Sequence, residues 1–472
     1  MKRLVCGLLL CALALAGVGG LPIASAAARG PTVYGTLQSL QRSGALSAEA
    51  YGEDASTYTA ALRAVKKLSG TRRAELGSVI ANVQQIAAAG ELIPSRAPAL
   101  FLTLERNVQW WTTEPLLSAD QRVSFPESRL VWEYYPGQGI EIQWLATFGE
   151  ANGYYLEGHE NTQLREVLEE AIPLATQRAG GIAWEYFFHF DGGAPPWTSG
   201  LSQGTALQAL ARAYSRLKEP AFLSAAKQAL GIFQTPPPAG VRVATPAGAH
   251  YLEYTYAPRE RILNGFIQAV TGLYDYTQLT GDPLGLKLFE AGDAEARAEV
   301  PHYDTGAWSL YDQHSESNLN YHELLTTFLQ NLCQRTAQGP PAPLTPPTAP
   351  PAPVAPIPGD AIYCTTAQRF TTDLHTPPAI ALLSHTLREG VRAGVQLSLA
   401  KIATVSLTIR RGTRVVWTNS ALVERGKPRL LWVTPKQGGA YSVSIHAVDL
   451  AGNSTTASGA IVLGAPTRAR HR

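Results

Sequence analysis

The sequence is poor in cysteine, and it contains no long apolar run after its N-terminal segment. It has four cysteines, none of them in a Cys-X-X-Cys pair, and one methionine. Removal of an N-terminal leader would leave Cys333 and Cys364, so we expect neither catalytic cysteine chemistry nor a zinc knuckle. Whether these two cysteines form a disulfide in an exported protein is left open. No later segment is apolar enough to cross a bilayer.

The first 26 residues have the layout of a secretory signal peptide. Lys2 and Arg3 precede an apolar run that begins at Leu4, and Ala24-Ser25-Ala26 supplies small residues for cleavage. This pattern predicts a signal peptide at residues 1–26 and a secreted, extracytoplasmic protein. A retained membrane anchor is the less favoured alternative.

Proline marks a boundary between two predicted bodies. Residues 339–360 read GPPAPLTPPTAPPAPVAPIPGD. Because proline lacks an amide hydrogen and fixes its own φ, this segment predicts a stiff, extended linker. We expect one domain at residues 34–336, a second at residues 366–464, and a basic tail at residues 465–472.

Before the linker, apolar residues recur at helical spacing. TALQALARAYSRL (205–217) and NGFIQAVTGLYDYTQL (264–279) are two such stretches, and each is soon followed by an acidic residue and a proline. An acidic residue followed by proline is typical of the start of a further helix. Helix pairs joined by short turns predict an all-α domain, an α/α toroid whose loops line a central cleft.

After the linker, the hydrophobic period changes to two. ATVSLTIRRGTRVVWTN (403–419) predicts a hairpin that turns at Gly412-Thr413. AYSVSIHAVDLAGNST (440–455) resembles the final strands of immunoglobulin-like and fibronectin type III modules. We therefore expect a small all-β sandwich here. The predicted fold class is multidomain, an α/α toroid followed by this sandwich.

Positive charge is concentrated in the C-terminal part of the chain. From Thr366 to Arg472 there are 14 Lys or Arg residues and 4 Asp or Glu residues, a balance of +10, whereas the whole chain carries +2. The excess predicts either a solvated basic face, which we favour, or contact with an anionic glycan or cell-wall surface. Because the chain contains no recognisable nucleic acid-binding module, we expect no nucleic-acid partner.

Three segments combine tyrosine with histidine, arginine or carboxylate side chains. They are HYLEYTYAPRERILNGF (250–266), HYDTGAWSLYDQH (302–314) and NLNYHELLTTFLQNL (318–332). The last opens a predicted helix, whose N-terminus favours an anion such as a sugar carboxylate. Since the reference pKa of tyrosine is about 10, it removes protons at neutral pH only beside a cation or a strong donor. The segments indicate proton transfer, with packing of tyrosines at helix ends as the simpler alternative.

Four ordered stretches resemble the C-terminal domain of the D-glucuronyl C5-epimerases. They lie between about Trp197 and Leu332 and read SGLSQGTALQALARAY, EYTYAPRERILNGF, GLYDYTQLTGD and YDTGAWSLYD. The resemblance implies an isomerase that converts glucuronate to iduronate within a glycosaminoglycan, a heparosan glucuronate 5-epimerase-like activity without an organic cofactor. It also implies an anionic, uronate-containing polysaccharide as partner. The animal members suggest a homodimer.

The resemblance assigns roles to individual residues. The residues that match the family's proposed proton-transfer groups are Glu253, Tyr254, Tyr311 and Tyr321. Asn264 and His322 also match family positions and are expected at the substrate. The family carries an arginine two residues after its second Tyr-Asp pair, where this chain has Gln313 and His314. The N-terminal β-domain of the animal enzymes and the family's Trp-Asp before its last tyrosine are absent too.

Other residues are predicted to bind substrate on chemical grounds alone. Arg259, Arg261 or His314 would replace the missing arginine as partner of the substrate carboxylate. Ser202 and Gln203 in GLSQG either contact sugar hydroxyls or start a helix. The remaining candidates, which either contact the sugar or pack in the core, are Tyr303 and Trp308. We predict no metal site, since no ligand set has a convincing spacing, and leave open whether a divalent cation assists.

The predicted reaction is epimerisation at C5 of a uronate in a polymer. One group removes the C5 proton, another returns a proton from the opposite face, and the site neutralises the carboxylate meanwhile. A polysaccharide lyase begins with the same abstraction and then expels the C4 substituent. A noncatalytic glycan-binding or cell-wall-binding protein is a third interpretation, which the missing arginine supports.

Overall fold

The computed structural model describes residues 30–337, 339, 341 and 361–464. The predicted signal peptide, nearly all of the predicted linker, and the basic tail lie outside these residues. The α-helices are α1 (Val33–Arg42), α2 (Ala48–Lys67), α3 (Gly70–Ala88), α4 (Ala97–Thr113), α5 (Trp144–Glu157), α6 (Asn161–Ala171), α7 (Gly200–Leu217), α8 (Pro220–Ala229), α9 (Gly231–Gln234), α10 (Leu263–Thr280), α11 (Pro283–Glu299), α12 (Leu319–Thr336) and α13 (Ala361–Asp373). Within the described part of the chain, no helix combines the length and apolarity needed to cross a bilayer.

Strands occur both among the helices and after them. Those among the helices are β1 (Arg122–Val123), β2 (Trp132–Tyr135), β3 (Gly139–Ile142), β4 (Thr176–Arg178), β5 (Gly181–Ala183), β6 (Arg242–Ala244) and β7 (Ala249–Tyr251). Those after them are β8 (Ile380–Leu382), β9 (Thr386–Arg388), β10 (Arg392–Leu399), β11 (Ala403–Arg411), β12 (Arg414–Val423), β13 (Arg429–Val433), β14 (Gly439–Asp449) and β15 (Ser454–Gly464).

The predicted fold class is wrong. The described residues are mixed, with 47% in helices and 22% in strands, and a curled five-stranded sheet lies at their C-terminal end. The region expected to be all-α contains a three-stranded antiparallel sheet, β1-β2-β3, and the two hairpins β4-β5 and β6-β7. These strands are two to four residues long. Helical periodicity in the flanking segments does not reveal strands this short.

Individual helix boundaries follow the local signals in the sequence. Helices α7 and α10 cover both stretches that show helical spacing, and Pro220 and Pro283 are the first residues of α8 and α11. Proline is well tolerated at this position because the amide it lacks would have no partner in the helix. Helix α12 begins at Leu319, where the side chain of Asn318 accepts a hydrogen bond from the amide of Tyr321 at 2.9 Å.

The described residues form two compact units. The N-terminal unit comprises residues 30–261, 265–296, 339 and 341, and the C-terminal unit comprises residues 262–264, 297–337 and 361–464. In the N-terminal unit, helices close in sequence pack together, α2 with α3 and α4, and α5 with α6 and α7. Helices α7 and α10 cross closely at two glycines, since a Cβ on Gly272 would lie 2.0 Å from the carbonyl oxygen of Gly204.

The C-terminal unit builds its core between two sheets. One sheet has the strand order β12-β11-β14-β15-β9 and the other the order β13-β10-β8. The strands alternate between buried and exposed residues, and the buried side chains of both sheets form one cluster that includes Val405, Ile445 and Trp432. Gly412 and Thr413 separate β11 from β12, as the hairpin signal predicts.

Helices α12 and α13 of the C-terminal unit are joined covalently. Cys333 and Cys364 form a disulfide with their Cα atoms 5.0 Å apart. The bond spans the proline-rich segment. It therefore keeps the two helices together whatever path that segment takes.

Candidate active site

The β2-β3 hairpin presents one tyrosine to each of its faces. Successive side chains of a strand point to opposite sides, so Glu133 and Tyr135 share one face and Tyr134 lies on the other. Glu75 holds the turn of the hairpin, accepting hydrogen bonds from the hydroxyl of Tyr134 at 2.8 Å and from the amides of Gly137 and Gly139. Tyr135 is thereby directed away from Glu75.

Side chains of the extended segment 184–190 also point alternately to opposite sides. Its backbone pairs with a later stretch through bridges from Tyr186 to Trp197 and from Phe190 to Gly193. Alternate residues therefore share a face, and Tyr186, Phe188 and Phe190 all line one pocket.

Glu185 points to the other side of this segment, into an ion cluster. Its two carboxylate oxygens lie 2.6 Å from Nε of Arg96 and 2.5 Å from Nη1 of Arg178. Burial alone would raise the pKa of Glu185, but the hydrogen bonds and charges of the two arginines lower it below its usual value. The cluster anchors the segment that carries the pocket aromatics.

The pocket lies within the N-terminal unit. It is lined by Asp120, Tyr135, Gln143, Leu145, Tyr186, Phe188, Phe190, Trp197, Ser199, Leu201, Glu253 and Tyr254. Trp197 stacks on Tyr186 with ring centroids 4.3 Å apart and lies edge-on to Tyr254 at 5.7 Å. Apolar walls with a few convergent polar groups are typical of a small-molecule site.

Glu253 and Tyr254, two of the predicted catalytic residues, belong to this pocket. Glu253 is 5% exposed and keeps Oε2 without a hydrogen-bond partner among the described residues. Gly265 makes room for it, since a Cβ there would lie 2.4 Å from Oε2. The ring of Tyr254 stacks on Tyr256 at 5.2 Å and packs against Phe190 at 5.8 Å.

Burial determines the protonation state of Glu253. Loss of solvent raises the pKa of its carboxyl to about 8, the hydrogen bond from Tyr254 lowers it somewhat, and the charge of Glu260 raises it further. The side chain is therefore mainly a neutral carboxylic acid at neutral pH. A carboxyl held neutral in a pocket can donate a proton or a hydrogen bond.

A second set of polar groups lies along another wall of the pocket. The hydroxyl of Tyr135 accepts a hydrogen bond from Nε2 of Gln143 at 2.9 Å. The hydroxyl of Tyr186 donates to Oε1 of Gln143 at 3.3 Å and accepts from the amide of Leu145 at 3.2 Å. Burial raises the pKa of both tyrosines, and nearby carboxyl charges raise them further.

Other predicted residues of the N-terminal unit lie outside the pocket lining. Ser202 and Gln203 are fully buried in α7. The hydroxyl of Ser202 donates to the carbonyl of Ser199, and Nε2 of Gln203 donates to the carbonyl of Trp184. Arg261 is half-buried and donates to the carbonyl of Pro258. Arg259 is exposed.

Tyr311 and Tyr321 come together in the C-terminal unit. Their ring centroids are 4.5 Å apart, and both rings are half-buried. The carbonyl of Tyr311 accepts a hydrogen bond from the amide of Leu263 at the start of α10. Asn264 follows directly and is 3% exposed.

His322 has a structural role in the C-terminal unit. Its Nε2 lies 3.0 Å from the carbonyl of Phe370 and therefore carries the hydrogen, while Nδ1 accepts from the amide of Ser309. Burial lowers its pKa to about 4, the Phe370 carbonyl raises it in part, and Lys401 lowers it further. The ring stacks on Trp308 at 3.7 Å.

The remaining predicted contacts divide between core and surface. Trp308 is 1% exposed and its indole donates to the carbonyl of Ser317. Tyr303 is buried. His314 is exposed in a turn that Asp312 caps by accepting the His314 amide hydrogen at 2.7 Å.

The sequence contained signals for the pocket residues that motif reasoning missed. Tyr186, Phe188 and Phe190 recur at a period of two in WEYFFHF, which predicts an extended segment with one aromatic face. Glu133 and Tyr135 have the same spacing just before a Pro-Gly turn signal. Both segments lie upstream of the four matching stretches.

One group of side chains among the described residues could share a metal ion. Glu157, His159 and Glu160 lie within reach of a common point, and Glu157 and His159 are exposed. None of the three lines the pocket. Exposed acidic groups of this kind are common without an ion, so the group supports no metal role in the site.

Comparison with known proteins places the pocket region in a family context. Residues 179–340 match the family described as D-glucuronyl C5-epimerase C-terminus. A D-glucuronyl C5-epimerase of Caenorhabditis elegans is 31% identical over 131 residues, which cover 25% of this chain and 21% of that protein. An uncharacterised protein of Methanocaldococcus jannaschii is 28% identical over 165 residues, covering 34% of this chain and 51% of the relative.

A solved structure gives a weaker similarity. The GH76 α-mannanase BT2949 of Bacteroides thetaiotaomicron, solved as a selenomethionine derivative, has 11% identity and a TM-score of 0.36, covering 54% of this chain and 66% of that one. This similarity is too low to support a conclusion. The chain spans about a fifth of the length of the Caenorhabditis elegans protein and about half the length of the Methanocaldococcus jannaschii protein. The sequence matches confirm the resemblance to the D-glucuronyl C5-epimerase family over residues 179–340.

Proposed function

We propose that the protein epimerises uronate residues at C5 within an anionic polysaccharide, and that the pocket of the N-terminal unit holds the reacting sugar. One observation carries the proposal. Glu253 places a buried carboxyl with an unpartnered oxygen in the wall of an aromatic pocket, inside the region that matches the epimerase family. Its raised pKa, about 8, suits a group that exchanges protons near neutral pH.

Proton transfer at C5 uses both states of Glu253. As a neutral acid it donates its proton to the carbanion-like C5, and as the resulting carboxylate it removes a C5 proton in the reverse direction. Tyr254 donates a hydrogen bond that favours the charged state. The aromatic walls exclude water, which strengthens these interactions. Arg259 and Arg261 remain our proposed partners for the substrate carboxylate.

We also propose that the protein acts outside the cytoplasm. The disulfide between Cys333 and Cys364 supports this, because disulfides persist mainly in oxidising compartments. The polymer would also contact the basic side chains of the C-terminal unit. Among the described residues, the exposed lysines and arginines of this unit are Arg369, Arg388, Arg392, Arg411, Arg414, Arg425, Lys427, Arg429 and Lys436.

The test is hydrogen exchange at C5 in deuterated water. The full-length protein is incubated with heparosan, alginate or another uronate polymer, and deuterium at C5 is followed by proton NMR together with ultraviolet absorbance. We expect deuterium at C5 and formation of the C5 epimer in at least one polymer, without a rise in absorbance. Heat-inactivated protein is the control.

Two results would overturn the proposal in different ways. A rise in absorbance from unsaturated uronate would show elimination and make the protein a lyase. If the protein bound one of the polymers but no polymer gained deuterium at C5, the protein would be a noncatalytic glycan-binding protein.

A further inference from the structure

We infer that Tyr135 is a second acid–base residue of this pocket and that Glu133 positions it, so that two tyrosine–glutamate pairs of the N-terminal unit serve the two faces of the sugar. The inference rests on the proposed function, since a C5 epimerase must move protons on both faces. The family resemblance predicts the second group in residues 302–322. Tyr135 and Glu133 lie outside the family match, which begins at residue 179.

The geometry of the hairpin supports this role. Tyr135 lines the pocket, and Glu133 lies two residues earlier on the same face of β2. Burial and the charge of Glu133 raise the pKa of the Tyr135 hydroxyl. Gln143 donates a hydrogen bond to this hydroxyl at 2.9 Å, which restricts its orientation before substrate binds.

The two pairs belong to one polar environment. Phe190 packs against Tyr135 at 6.4 Å and against Tyr254 at 5.8 Å, so one aromatic ring separates the two tyrosines. The hydroxyl of Tyr186 is close enough to both Glu133 and Glu253 for each carboxylate to raise its pKa. The space between the pairs is therefore bounded by acid–base groups on two sides.

The two carboxyls have different partners. Glu133 lies 3.5 Å from the guanidinium of Arg122, whereas Oε2 of Glu253 has no partner among the described residues. Burial raises the pKa of Glu133 above its usual value, although Tyr135 and Arg122 partly offset the rise. The guanidinium favours a carboxylate at Glu133, and burial favours a neutral acid at Glu253. On this difference in partners we assign proton acceptance to the first pair and proton donation to the second.

The proton transfers balance with these two pairs. The C5–H bond breaks as its proton moves to the oxygen of Tyr135, and the phenolic proton of Tyr135 moves to the carboxylate of Glu133. The electron pair of the C5–H bond delocalises into the uronate carboxylate. Glu253 then donates its proton to the opposite face of C5 and becomes a carboxylate. Solvent exchange of both glutamates restores the starting state, and the reverse reaction uses the same groups in the opposite order.

The test follows exchange separately from each epimer. In an enzyme with one acid–base group for each face, loss of one group abolishes exchange from one epimer and leaves exchange from the other. Tyr135→Phe, Glu253→Gln and Tyr134→Phe are compared in deuterated water with a glucuronate polymer and with its C5-epimerised form. Tyr134→Phe is the matched control, since that adjacent tyrosine points to Glu75 and lies outside the pocket lining.

We expect Tyr135→Phe and Glu253→Gln each to reduce exchange from one epimer by about a hundredfold or more, with opposite epimers affected. Each should retain exchange from the other epimer within about tenfold. Glu133→Gln should lose exchange from the same epimer as Tyr135→Phe does. The pH profile of its remaining exchange should shift. Tyr134→Phe should exchange both epimers like the wild type.

Three outcomes would overturn the inference. The first is an equal loss of C5 exchange from both epimers in Tyr135→Phe. The second is normal exchange from both epimers in that variant. The third is a loss of exchange from one epimer in Tyr321→Phe and not in Tyr135→Phe. In each case the wild type still exchanges C5, so the proposed function survives. Absence of exchange in the wild type instead removes the proposed function itself.

Discussion

Glu253→Gln should reduce C5 exchange by about 10²- to 10⁴-fold from the epimer that depends on this side chain, the range that a single acid–base residue contributes. Epimerisation, which needs both faces, should fall by the same factor. The amide has almost the same shape as the neutral carboxyl but no transferable proton. Because the native carboxyl is already neutral and buried, the free energy of unfolding near neutral pH should change little. Deuterium incorporation and thermal unfolding of the same preparations measure the two effects.

Glu260→Gln is the matched control for this variant. Glu260 lies in the same loop, outside the pocket lining, and its charge contributes to the raised pKa of Glu253. Its neutralisation should retain exchange and move any alkaline decline in rate to lower pH. If Glu253→Gln kept the wild-type rate of epimerisation, Glu253 would have no role in proton transfer.

Glu185→Gln should destabilise the N-terminal unit by about 3 to 5 kcal/mol, the typical cost of breaking a buried ion pair. The variant leaves Arg96, which is 3% exposed, and the largely buried Arg178 without their shared negative partner. Because Glu185 precedes Tyr186 on the segment that carries the pocket aromatics, exchange activity should decline at lower temperature than in the wild type. Urea unfolding followed by tryptophan fluorescence measures the change, since Trp184 lies on this segment and Trp197 pairs with it.

A surface ion pair provides the comparison for Glu185. Arg165 and Glu219 are joined at 2.8 Å, but their side chains are 40% and 33% exposed. Glu219→Gln should therefore cost less than about 1 kcal/mol. Equal losses of stability in the two variants would contradict the role assigned to the buried cluster.

Local signals in the sequence predicted much of the secondary structure. The prolines that start α8 and α11 and the Gly412-Thr413 turn act through backbone geometry within a few residues, so they can be read without knowledge of the fold. The small sheets among the helices could not be read in this way. Every residue of β3 is buried, so it lacks the alternation that marks a strand with one solvated face.

The candidate site was predictable only in part. Glu253 and Tyr254 were found because a family motif contains them, and the structure places both in the pocket. Tyr135, Gln143 and Tyr186 come from distant segments that only the tertiary structure brings to the same wall. Burial decided the chemistry of the individual groups. It makes Glu253 a neutral acid and His322 a neutral core residue, although the family resemblance marked the first for proton transfer and the second for substrate contact.

The pH dependence of C5 exchange tests most directly whether a neutral Glu253 carboxyl reaches the reacting carbon. Rates are measured from about pH 6 to about pH 10 with each epimer of the polymer, in the wild type and in Glu253→Gln. Where Glu253 donates the proton, kcat/KM in the wild type should fall as pH rises through about 8, because the raised pKa leaves the acid form only below that value. The variant should lack this decline. A wild-type profile that stays flat through this range, or a decline that persists in Glu253→Gln, would contradict the account.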